Sequence, residues 1–282
     1  MTPSYRGDLE RCRLLCESTT RFLPAGCEHV LLIDRRDLEL FRPLESDVVR
    51  VVEAESLIPW WIFRVPGIRR WWASLGSLPI RNWLYQQLLK ISAIHATSAD
   101  VIQFLDSDVT LTRPFPVDYV FRGDKVRLQR VGFHDREHER WIRVAARLLG
   151  ATEPIDVDRN YIGNLITWTR PNVLGMIERI RSHTGSSHIG AIARAIHFSE
   201  YMTYGVHVDD IVGLEASGHF HDDSPNLHLC WDYDLTTPDG LDQFLSATGP
   251  EHLGVMIHSK YGIPVATYAD KLRALWDGLP VA

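Results

Sequence analysis

Apolar residues recur at helical spacing from Asp8 to Phe22, where Leu9, Cys12, Cys16 and Thr19 form one stripe behind a candidate cap at Asp8. Val30-Leu31-Leu32-Ile33 is a short apolar run that stops at Asp34, as buried strands do. Val48 to Val52 predicts another strand. Residues 80–96 return to helical spacing, with Ile80, Leu84, Leu88 and Ile91 roughly on one face, and Val101 to Leu105 predicts a strand again. Beyond residue 115 the pattern loosens into strands near 126–131 and 162–168 and helices near 136–149, 172–182 and 189–196. A last strand, Val255 to His258, precedes a helix at about 267–277. This alternation predicts an α/β fold, a largely parallel sheet covered by helices. No internal repeat or low-complexity tract interrupts it.

Residues 57–85 break the rhythm. Five of the nine tryptophans fall there, interleaved with Pro59, Pro66, Pro79, Arg64, Arg69, Arg70 and Arg81. The arginines exclude a transmembrane reading. Three readings stay open: an irregular insertion packing its indoles on the core, a lid or acceptor wall, and a peripheral membrane contact.

Composition changes the picture in two places. The formal charge of -6 argues against a nucleic-acid binder, because phosphate neutralisation needs a basic surface. The charge is also uneven. Residues 1–150 hold 22 Lys+Arg against 19 Asp+Glu, and the remainder 8 against 17, so an anionic ligand is expected on the first part. Cys12, Cys16, Cys27 and Cys230 have neither zinc-type spacing nor the density of a disulfide framework. Without an apolar leader or a long apolar run, the expectation is a cytoplasmic protein with reduced thiols.

The sharpest chemical signal is VIQFLDSDVTLTRPF, residues 101–115, an apolar strand running into Asp106-Ser107-Asp108. At a strand's period of two both carboxylates project to one side, at the carboxyl edge where open α/β sheets bind ligands. Two hard oxygen ligands suit Mg²⁺ or Mn²⁺ with substrate phosphates. Asp106, Asp108 and Thr110 also match the DxDxT of haloacid-dehalogenase phosphohydrolases, with Asp209-Asp210 as the later acidic pair. Against that stand Val109 where glycine is usual, and Lys125 as the only lysine between residues 91 and 259.

The DxD triplet, the Thr2-Pro3-Ser4-Tyr5 opening and Ile257-His258-Ser259-Lys260-Tyr261-Gly262-Ile263-Pro264 together resemble GT-A-fold, nucleotide-sugar-dependent glycosyltransferases. The last element is similar to the His-x-x-Gly-x-x-Lys-Pro of family-8-like enzymes, with Gly262 one residue late and no lysine before Pro264. With WLYQQLLK, YIGNLITW and SEYMTYG, the resemblance extends to a bacterial family of glycosyltransferase-like proteins along nearly the whole chain.

The resemblance implies a GT-A-like, Rossmann-type mixed sheet flanked by helices. It implies one domain, with residues 1–115 binding nucleotide and 116–282 the acceptor. Asp106, Asp108 and His258 would hold the metal, the nitrogen ligand favouring Mn²⁺ over Mg²⁺. Thr2, Pro3, Ser4, Tyr5 and Asp34 would line the nucleoside, and Lys260, Arg81 and Lys90 are candidates for phosphate. Asn160, Tyr161, Gly163 and Asn164 would face sugar and acceptor, with Glu200 as the acceptor-facing acid. The histidines at 219, 221 and 228, near Asp222 and Asp223, read as a polar loop. The expected partners are a UDP- or GDP-sugar and an acceptor. A phosphohydrolase and a non-catalytic nucleotide-sugar-binding module are the competing functions.

Overall fold

Thr2–Ser4, His29–Ile33 and Val49–Glu53 pair in parallel in that order, in register Ser4 to Ile33 to Glu53, so all three strands end at one carboxyl edge. The structure, a computed structural model, describes residues 1–277 apart from Pro66, Arg69 and Glu153. It divides into two compact units, each assembled from separated stretches of chain. The first contains Met1–Glu53, Phe104–Tyr119 and the chain from Ser224 onward; the second contains Ala54–Gln103 and Val120–Asp223.

In the first unit, the helix Leu9–Phe22 lays its apolar stripe on the parallel sheet. Cys12 and Cys16 bury there with Leu31, Ile33, Phe41 and Val49, so these two thiols serve as small apolar side chains. Contact with Cys12, then burial, raises the Cys16 thiol far above its ordinary pKa, which keeps it unreactive. A mixed sheet completes the unit. Gly254–Met256 runs parallel to Leu227–Leu229 and antiparallel to Val109–Leu111. A side chain at Gly254 would place its Cβ 2.4 Å from the Thr110 carbonyl oxygen, so only glycine permits this pairing.

In the second unit, Lys125–Gln129 pairs in parallel with His219–Asp222 and antiparallel with Phe121–Arg122. The helix Arg136–Leu149 covers the range its sequence predicts, because both ends are specified. Asp135 accepts the His138 backbone N–H at 2.8 Å, and Gly150 closes the helix in the left-handed conformation. The helix Glu200–Val206 continues into a π-helical turn, His207–Val212, which the sequence pattern does not announce. Among the described residues the sheet of residues 2–53 is parallel throughout, two sheets are mixed and the one within residues 62–81 is antiparallel, so the expectation of a largely parallel sheet gives way to several short sheets.

Buried histidines tie these elements together. Thr19 donates its hydroxyl to the Cys16 carbonyl, so His29 must donate Nδ1–H to Thr19 and accept from Thr2 at Nε2. In the second unit, His219 Nδ1 donates to the Val126 carbonyl and Nε2 accepts from Tyr204. Burial lowers the pKa of both, and holds His188 and His207 at about 4. Each group stays neutral when folded but gains a proton when unfolded below its ordinary value of 6.5. Their stabilisation is therefore intact above that value and is lost as pH falls through the window from 6.5 toward 4. Denaturant unfolding at pH 7, 6, 5 and 4.5 is expected to show stability falling by more than about 1.4 kcal/mol per pH unit, the slope for uptake of a single proton. Constant stability from pH 7 to 5 would show that these rings reach water.

Candidate functional site

The first unit gathers the strongest candidates. Asp106-Ser107-Asp108 is not a strand continuation: Val101–Phe104 ends before it, and the Val109 N–H reaches back to the Asp106 carbonyl at 3.1 Å, closing a tight turn. The turn, rather than a two-residue pleat, brings the carboxylates together. The antiparallel pairing then extends one step past Met256, so Ile257 N–H donates to the Asp108 carbonyl at 3.1 Å and Ser259 N–H to Asp108 Oδ2 at 3.2 Å. His258 thereby stands beside Asp108, from a position 150 residues later in sequence.

The electrostatics are those of crowded carboxylates. Burial is the main cause that raises the Asp108 pKa, followed by the charge of Asp106; the Ser259 N–H, then His258, partly offset it. Asp8, expected only as a helix cap, makes no capping bond and instead lies by Ser107 and Asp106. Its pKa is also raised, chiefly by burial, against the pull of Arg11. Arg11 pairs with Asp8 at 3.3 Å and interacts with Tyr268, whose phenol burial pushes up to about 12. Three carboxylates thus lie in electrostatic reach of one another, with Arg11 as the guanidinium among them.

Such a donor set fits a hard divalent cation held by few protein oxygens, the remaining positions left to water and phosphate. Among the described residues, no three His, Cys, Asp or Glu side chains are gathered tightly enough to hold a metal by themselves. His258 fits less directly. Its Nδ1 accepts the Lys260 backbone N–H at 3.0 Å, so a neutral ring carries its proton on Nε2. Ligation through Nε2 would move that proton to Nδ1 and break the Lys260 bond.

Around this turn the expected nucleoside group divides. Thr2 and Pro3 are buried, Thr2 bonding His29; Ser4 is half-buried; Tyr5 is exposed. Asp34 follows the neighbouring strand on the same edge and pairs with Arg36 at 3.4 Å. Lys260 is exposed on the turn after His258. Trp231, which sequence reasoning passed over, is 51% exposed and has its ring 4.9 Å from that of His258. Its neighbour Cys230 accepts the His258 N–H through sulfur.

The other candidates belong to the second unit and have other employment. Lys90 and Glu200 form a buried pair at 3.3 Å, and Lys90 also donates to the Tyr201 hydroxyl at 2.7 Å. Neither meets solvent enough to take phosphate or an acceptor proton from this arrangement, which corrects both expectations. The preceding Ser199 is the helix cap. Arg81 is exposed and lies over the Trp71 ring at 5.2 Å. Asn160 accepts the Ile162 N–H and pairs with Val131, Gly163 lies against Gln129, and Asn164 is half-buried in the same strap. Tyr161 donates to Asp209, which also takes His221 Nε2 at 2.9 Å, while Arg159 pairs with Asp210. The acidic pair that a dehalogenase-type phosphohydrolase would need is thus engaged in a part-buried network. His219 and His221 are strand residues, and His228 stacks on Phe244 in the first unit, so these three do not form the polar loop expected of them.

Residues 2–234 match the model of a family of unknown function, DUF6492. No curated protein matches the chain in sequence. Among solved structures, the galactosyltransferase LgtC in complex with donor and acceptor sugar analogues is similar over 100% of this chain and 96% of its own, at 10% identity and a TM-score of 0.43. The apo bifunctional glycosyltransferase WbbM is similar over 99% of this chain and 49% of its own, at 8% identity and a TM-score of 0.45. Apo mouse xyloside xylosyltransferase 1 is similar over 93% of this chain and 98% of its own, at 10% identity and a TM-score of 0.44.

Proposed function

We propose that this chain, which belongs to the DUF6492 family, is a GT-A-like glycosyltransferase that moves a sugar from a nucleotide diphosphate sugar to an acceptor with the help of a divalent cation. The observation that carries the proposal is the Asp106-Ser107-Asp108 turn fastened to the strand that delivers His258. Half-buried carboxylates whose charges raise the pKa of Asp8 and Asp108, after burial itself, are costly, and such crowding is concentrated where a ligand offsets it. Asp106 and Asp108 would hold Mn²⁺ or Mg²⁺, which when bound supplies Lewis-acid stabilisation of the charge growing on the leaving diphosphate.

The chain's own residues set the frame. Ser259 N–H fixes one oxygen of Asp108, Arg11 pairs with Asp8, and Tyr5 and Asp34, which follow the paired Ser4 and Ile33, would line the nucleoside. Lys260 offers a positive charge for phosphate beside the same turn, and exposed Trp231 a flat apolar face for a base or a sugar ring.

Thermal unfolding in the presence of UDP- and GDP-sugars, with and without MnCl₂, tests this reading. A ligand at about a hundred times its dissociation constant adds about 2.7 kcal/mol, so at least one nucleotide sugar is expected to raise the midpoint by several degrees only when Mn²⁺ is present. No shift with any nucleotide sugar, together with release of phosphate from simple phosphomonoesters, would replace transfer with the phosphohydrolase reading. A shift without turnover on any acceptor or on water would indicate a binding module.

A further inference from the structure

The tryptophan-rich segment forms a small antiparallel sheet of its own, Ile62–Arg64, Trp71–Ser74 and Ile80–Arg81. One face is core. Ile62, Trp72 and Ile80 are buried, and Trp72 stacks on Tyr85 with ring centroids 3.6 Å apart. The other face and the loop tips are not. Trp60, Phe63, Trp71, Leu75, Leu78 and Trp83 are exposed, Trp60 and Leu78 at 80% each. Seven of the sixteen exposed large apolar side chains among the described residues lie within the 24 positions from 60 to 83. Scattered apolar residues on a surface need no explanation, but this degree of concentration does.

The charge on the same stretch has one sign. From Ser56 to Ala99 the chain contains no Asp or Glu, although its net charge is -6. Arg70 and Arg81 are exposed there and line, with Trp71, Asn82 and Trp83, a cavity of about 430 Å³. Arginine beside tryptophan, next to protruding leucines, is the chemistry of a bilayer interface: indoles settle at headgroup depth, apolar tips enter the acyl boundary, and guanidinium groups meet phosphate. No helix among the described residues is long and apolar enough to cross a membrane, so contact through this sheet would be peripheral.

We infer that the exposed face of the 62–81 sheet docks on an anionic phospholipid bilayer, with the Arg70–Arg81 cavity receiving a lipid phosphate. The occupant is a membrane rather than an acidic protein because the apolar side chains sit at the protruding tips, where they can enter a fluid surface, and carboxylates are excluded over the whole segment. The inference is carried by this surface alone and does not depend on the transfer reaction.

Co-sedimentation with vesicles of pure phosphatidylcholine and of phosphatidylcholine with about 30 mol% phosphatidylglycerol, whose negative surface potential attracts basic segments, tests it. The whole protein is expected to bind the anionic vesicles at least about tenfold more tightly, and less so as salt rises. The exposed triple variant Trp60→Ala, Leu75→Ser, Leu78→Ser and the pair Arg70→Gln, Arg81→Gln should each lose most of that binding with unchanged thermal midpoints. Ile196→Ser, at an apolar side chain 84% exposed elsewhere, should not. Absence of binding at low salt, or equal binding by wild type and both variants, overturns the inference. So does a concentration-dependent dimer that the triple variant abolishes without any vesicle binding, which would assign the face to a second copy.

Discussion

Asp108→Asn is expected to lower sugar transfer by at least about 10²–10³-fold, the usual loss when a charge-stabilising group is removed from a reacting centre. It should do so without loosening the protein. The asparagine keeps an oxygen to accept the Ser259 N–H, while the charge that burial and Asp106 oppose is gone. A carboxyl whose folded pKa is raised destabilises the fold at neutral pH, so the variant's unfolding midpoint should equal or exceed that of wild type. Loss of Mn²⁺-dependent stabilisation by nucleotide sugar should accompany the loss of turnover. Full activity in Asp108→Asn, measured with saturating donor, would remove this turn from the chemistry. A lowered midpoint would instead make Asp108 a structural anchor for the strand before His258.

The second large effect is on stability. Glu200→Gln leaves the Lys90 ammonium buried without its counter-charge, and breaking such a pair from one side costs about 3–5 kcal/mol. Replacing both ends, as in Lys90→Met with Glu200→Leu, removes the two desolvation penalties together and should return most of the loss. Denaturation midpoints of Lys90→Met, Glu200→Leu and the double variant form the cycle that measures the coupling. A double variant that is stable, binds donor and transfers sugar would confirm the pair as scaffold. One that is stable and binds donor but transfers nothing would restore Glu200 as an acceptor-facing group.

What could be read in the sequence follows the range of the interactions. The helix Arg136–Leu149 was legible because its stripe, its Asp135 cap and its Gly150 stop are all local. The strand His29–Ile33 was legible because burial on both faces leaves a continuous apolar run. The strand His219–Asp222 was hidden: HFHD has no apolar alternation, and His219 faces inward only because Tyr204 and Val126 satisfy both ring nitrogens. The π-helical turn was hidden too, since widening a helix by one residue per turn leaves no composition signal.

The candidate site divides in the same way. The DxD triplet is visible because two carboxylates two residues apart after an apolar run are visible anywhere. The role of Asp8 was not, because its approach to Ser107 is set by the sheet and not by spacing. The Lys90–Glu200 pair spans 110 positions, and from sequence Lys90 reads as a phosphate ligand and Glu200 as an acceptor-facing acid, because no local signal joins them. The resemblance to a glycosyltransferase element placed His258 near the turn, and the antiparallel register of Val109–Leu111 with Gly254–Met256 supplies a physical reason.

The interleaving of the two units sets an order of events during synthesis. A ribosome finishes the second unit at Asp223, while the first unit, whose first stretch ended at Glu53, still lacks the strand that pairs with Val109–Leu111. At about 5–20 residues per second, Val109–Leu111 waits on the order of ten to thirty seconds for Gly254–Met256 to be made. During that interval the edge of Val109–Leu111 is an open template for any passing strand. The turn that carries Asp106 and Asp108 gains its bonds from Ile257 and Ser259 only when the chain past Met256 arrives, so nascent chains stalled before that strand lack His258 and both of those bonds.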